Sequence, residues 1–155
     1  MECSSQIEWI KYLTFVLTIF GMYITYQQYK INHYKIQLDL YEKRYKVVQG
    51  YKSAIASLVK HGNLTQDELR DFIISTKEAT YLFDKNIIMH LDEVYKKFLD
   101  IQFYKTELKE NSELEQSQRS EYANNSAEIL KYFYKLLKET DEKYFKKYLD
   151  FTKLS

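Results

Sequence analysis

The sequence predicts an all-α protein, with an N-terminal transmembrane helix followed by a cytoplasmic bundle of four to five helices. Three observations predict it. Tyr12 to Tyr29, YLTFVLTIFGMYITYQQY, carries no charge; apolar residues beyond it recur at helical spacing; and neither Pro nor strand-like alternation interrupts the 155 residues. The expected division is 1–36, a tail, span and juxtamembrane extension, and 37–155, a helical domain long enough for a single core.

At 1.5 Å per residue the uncharged run covers about 27 Å, close to the hydrocarbon thickness of a bilayer. Its flanks extend that reach. Trp9 and Tyr12 stand at one end and Tyr23, Tyr26 and Tyr29 at the other, where amphipathic rings favour the headgroup level. A cleaved signal fits poorly, because Glu2, Glu8 and Lys11 make no basic leader and YITYQQYK lacks the small residues of a cleavage site. Lys30, Lys35, Lys43, Arg44 and Lys46 follow the span, whereas only Lys11 precedes it. The positive-inside rule therefore expects the N-terminus outside and the C-terminal part in the cytoplasm.

At about 100° per residue, Lys11, Thr14, Thr18, Gly21, Thr25, Gln28 and Asn32 fall on one third of the helix surface. The other faces carry Leu13, Phe15, Val16, Leu17, Ile19, Phe20, Met22 and Ile24, which suit lipid. Small and hydroxyl residues at this spacing let helices approach closely, so a homo-oligomer through this helix, in contact with the lipid bilayer, is expected. Two uses of the stripe stay open. It packs one helix tightly on another, with the Thr hydroxyls bonded back to their own helix, or it lines the passage of a ring.

With 23 basic against 22 acidic residues the net charge is +1, which gives no global field for nucleic acid. The 16 Tyr fit the compositional bias of an AT-rich genome and are no argument for base stacking. A single Cys, Cys3, excludes a disulfide framework and a Cys-rich metal site; acylation of Cys3 is not expected on the outer side without a lipoprotein motif.

Beyond the span the helix is expected to continue, with Asp39 as a possible fresh start, and Leu40, Val48, Tyr51, Ile55, Leu58 and Val59 share a face. Arg44 falls within that face, where a guanidinium needs a partner, so a core ion pair is its first reading and catalysis or RNA binding its second. His61, Gly62 and Asn63 end the helix, Gly62 serving as a left-handed cap. Thr65 and Glu68 form a capping box for a second helix with Leu69, Phe72, Ile73, Thr76 and Ala79 on its face. Asp84 caps a third, Lys85 to about Lys109, with Ile87, Ile88, Leu91, Val94, Tyr95, Phe98 and Ile101 inward. ENSELEQSQRSE is expected to turn a long hairpin, with its end open to being helical. A fourth helix, roughly Tyr122 to Lys138, points Ile129, Leu130, Phe133, Leu136 and Leu137 inward. Thr140 is the expected cap of a short fifth helix with Tyr144, Phe145, Tyr148 and Leu149. YKKFLD at Tyr95 and FKKYLD at Phe145 read as similar amphipathic turns rather than a repeat.

Chemistry is sparse. With 3 Gly there is no phosphate loop, and His33, His61 and His90 lack paired-ligand spacing, so no cofactor and no metal is expected. His90 with Asp92 or Glu93 is the nearest approach to a proton-transfer pair, but His90 reads as a surface or boundary residue. Asp67 and Glu68 are explained by helix-start electrostatics. The arginines, Arg44, Arg70 and Arg119, are not followed by His at the four-to-six-residue spacing of HEPN-type RNases; Lys85 to His90 has the spacing with the wrong cation.

LDLYEKRYKVV (Leu38 to Val48), KEATYLFDKNI (Lys77 to Ile87) and KKYLDF (Lys146 to Phe151) resemble a widespread bacterial family of small single-span membrane proteins with a cytoplasmic helical domain. That resemblance implies a bacterial inner-membrane location, structural rather than catalytic motifs, and a buried pair of Arg44 with Glu78. The layout also resembles the small membrane accessory proteins of type VI-B CRISPR systems. This second resemblance implies a divergent HEPN-like domain without a working nuclease, a ring-shaped pore, and an RNA-guided defence nuclease as partner. The expected function is thus an oligomeric membrane effector in antiviral defence, not an enzyme. A membrane-tethered adaptor and a degenerate HEPN-like RNase are the alternatives.

Overall fold

A computed structural model describes residues 2–111, 114–140 and 144–150, with side chains undescribed at 2–8 and at Thr140. The Cys3 side chain lies outside this set. All regular structure among the described residues is helical: α1 Glu2–His61, α2 Gln66–Thr76, α3 Ala79–Leu82, α4 Lys85–Glu110, α5 Gln116–Thr140 and α6 Lys146–Leu149. By its contacts the chain divides into two units, Met1–Asp39 and Leu40–Ser155.

In the first unit, α1 contains a segment long and apolar enough to cross a membrane by length and composition. Every residue from Trp9 to Ile36 is exposed except the half-buried Gln27. Asp39 starts no new helix and lies inside unbroken α1, since neither Pro nor Gly interrupts the chain between Met22 and Gln49.

The second unit has one apolar core. Val48, Tyr51, Ile55 and Leu58 of α1 enter it as their spacing predicts, joined by Val47 and Ala54. Leu40 and Val59 are only half-buried. His61 ends α1, and Gly62 follows at φ 69°, the left-handed conformation that glycine adopts without a Cβ penalty. Its amide donates to Leu58 O at 2.7 Å, and its carbonyl accepts from Lys105 Nζ.

The Thr65 hydroxyl accepts from the Glu68 amide at 3.2 Å, and the Glu68 carboxylate accepts from the Thr65 amide at 2.8 Å. This is the expected capping box. The helix it opens is shorter than the apolar spacing suggests, ending at Thr76, with Ala79 beginning the separate turn α3. Leu69, Phe72 and Ala79 are buried, but Ile73 faces outward. Asp84 caps α4 as expected by accepting from Ile87 N at 3.2 Å.

Ile87, Leu91, Val94, Phe98 and Ile101 line the buried face of α4, meeting Phe133 and Leu136 of α5. Phe98 stacks on Phe133 at 4.7 Å, and Tyr104 meets Tyr122 at 5.4 Å, so rising numbers on one helix pair with falling numbers on the other. That order defines the antiparallel hairpin. α5 begins at Gln116, within the polar stretch and before the expected Tyr122, because the Glu115 amide donates to Gln118 Oε1 and Arg119 donates to the carbonyls of Leu114 and Asn111. Side-chain bonds to free backbone groups stabilise a helix start that apolar periodicity does not mark. α6 starts at Lys146 with no side-chain cap, and α5 runs on to Thr140; a capping role for the Thr140 side chain lies outside the described residues.

Candidate functional site

The first unit carries the polar stripe. Lys11, Thr14, Thr18, Gly21, Thr25, Gln28 and Asn32 are all exposed, as are the large apolar side chains between them. Thr14 donates to Ile10 O, Thr18 to Thr14 O and Thr25 to Gly21 O, each at 2.8 Å. The hydroxyl protons are therefore satisfied within the helix, and what each Thr offers outward is a methyl group and an acceptor oxygen. A Cβ added to Gly21 would meet nothing within 4 Å. Among the other residues of this stretch, Tyr23 OH accepts from Gln27 at 2.9 Å, and His33 stacks on Tyr29 while meeting Gln37 at 3.0 Å.

The second unit holds a polar cluster inside its core. His90 is buried, correcting the expectation of a surface or boundary residue. It shares the face of Ile87, Leu91 and Val94, and the Tyr51 hydroxyl lies 2.8 Å from its Nε2. The Tyr144 ring stacks on it at 3.9 Å, nearly parallel. Asp92 and Glu93, its sequence neighbours, are exposed. The hydrogen bond to Tyr51 and the two rings offset the cost of burying an imidazole.

Beside this cluster, Arg44 and Glu78 do not form an ion pair among the described residues. Glu78 is exposed just before α3, consistent with its phase off the apolar side of α2. Arg44 is half-buried and turns instead to the Leu82 carbonyl, to which its Nε donates at 3.1 Å, and to the Tyr148 ring at 5.5 Å. A planar guanidinium suits both partners at once. The Tyr148 hydroxyl donates to Asp84; that bond, then the Ile87 amide, holds the Asp84 carboxyl below its usual range, while burial and Asp84 push Tyr148 up. Phe145 packs edge-on to Tyr51 and Phe83. α6 and the turn before it are thus fastened to the core by three aromatic residues and one arginine.

A third polar contact joins α1 to α2. Glu68 accepts from Ser57, and this bond, followed by the Thr65 amide, holds its carboxyl below the ordinary value. Nearby, Gly50 lets the helices approach so closely that a Cβ there would collide with Ser75. On α4 and α5, Lys97 lies over the Tyr132 ring at 4.6 Å and 3.9 Å from Glu93. Burial, then Glu93, pushes the Tyr132 phenol up to about 12. These contacts resemble structural fastening, with each polar group facing another of the same core. Among the described residues no group of three or more His, Cys, Asp or Glu side chains is placed to hold a metal ion.

Sequence reasoning missed the Tyr51–His90–Tyr144 set. Tyr51 was legible as a helix-face residue, but His90 was read at a surface or boundary position, and their meeting spans 39 positions. No family model, curated protein or solved structure matches the chain.

Proposed function

We propose that the protein is an oligomeric single-pass membrane effector that acts by perturbing the membrane rather than by catalysis. The observation that carries this is the exposure of Trp9 to Ile36 around the whole helix, with Trp9 at 77%, Phe15 at 66% and Phe20 at 61%. Exposed apolar surface of that extent favours a cover of lipid or of other protein. Lipid suits the apolar faces. The stripe from Lys11 to Asn32 suits contact between copies or a polar passage. Basic residues after the run favour a cytoplasmic position for the unit Leu40–Ser155. The resemblance to type VI-B CRISPR accessory proteins extends the proposal to a bacterial inner membrane and to antiviral defence beside an RNA-guided nuclease.

A second reading, a membrane-tethered adaptor, is favoured by the Thr14, Thr18 and Thr25 hydroxyls, which are satisfied within their own helix and require no lumen. Reconstituted liposomes separate the two. The effector reading expects the full chain to release a trapped small ion, and Thr18→Leu with Thr25→Leu to abolish release without loss of membrane insertion. Tight liposomes with the unsubstituted chain would favour the tether.

A further inference from the structure

We draw no further inference here: the strongest candidate, the polar cleft between α1 and α2 lined by Ser53, Ser57, Glu68, Asp71 and Ser75, is an acidic cluster at a helix crossing whose Glu68 is already engaged by Ser57 and the Thr65 amide, and nothing in the structure shows what would fill it.

Discussion

Residues Trp9–Ile36 and Val47–Leu58 belong to the same helix and are both rich in large apolar side chains, yet their surroundings are opposite. In the first stretch Phe15, Val16 and Phe20 are each at least 60% exposed; in the second Val48, Tyr51, Ile55 and Leu58 are at most 1% exposed. The difference lies in what the chain supplies. The second unit brings Phe98, Phe133 and Phe145 onto α1 and the neighbouring helices, whereas the first unit consists of helix alone. Apolar content therefore says that a cover is needed, and the fold says whether the chain provides it.

Paired substitutions sharpen that contrast. Phe98→Ala removes a ring stacked on Phe133 and set edge-on to Phe72. It is expected to cost the second unit about 3–5 kcal/mol, read by denaturant unfolding, while Phe20→Ala leaves the same transition in place. Equal effects from the two would break the comparison. The glycines give a smaller version. Gly50→Val drives a side chain into Ser75 and is expected to cost about 1–3 kcal/mol, whereas Gly21→Val, in open space within the chain, leaves that unfolding transition unchanged.

Polar contacts within the second unit should respond more mildly. Tyr51→Phe takes the hydroxyl from His90 Nε2 and is expected to cost about 1–3 kcal/mol in thermal or denaturant unfolding. Thr65→Ala breaks the capping box at a cost of about 1 kcal/mol. The smallest effect is a slope with pH. Because Ser57 and the Thr65 amide hold the folded Glu68 carboxyl below 4.5, its contribution is fully present above that unfolded value and is lost as pH falls through the lowered one. Glu68→Gln should flatten this part of the acid limb of a stability–pH profile; an unchanged slope would remove Glu68 from it.

What the sequence made legible was local. The Thr65–Glu68 box, the Gly62 stop and the Asp84 cap each involve groups within four residues, so spacing alone places them. The polar stretch before Tyr122 ends in helix, as its reading allowed, but the start at Gln116 was not placed, because polar side chains, not an apolar stripe, hold it. Arg44 escaped for a different reason. Its carbonyl partner at Leu82 is 38 residues away and carries no side-chain signature, and the acidic partner that the family resemblance implied, Glu78, is exposed. The stripe on the first unit was legible as a pattern, and the hydrogen bonds of its threonines were among the arrangements that pattern allows.

The most direct measurement is the number of copies per particle of the full-length chain in mild detergent, by light scattering corrected for bound detergent. Self-association of the exposed N-terminal helix predicts several copies, with six or more pointing to a ring. A monodisperse monomer would contradict it, and would leave lipid alone as the cover of residues Trp9–Ile36.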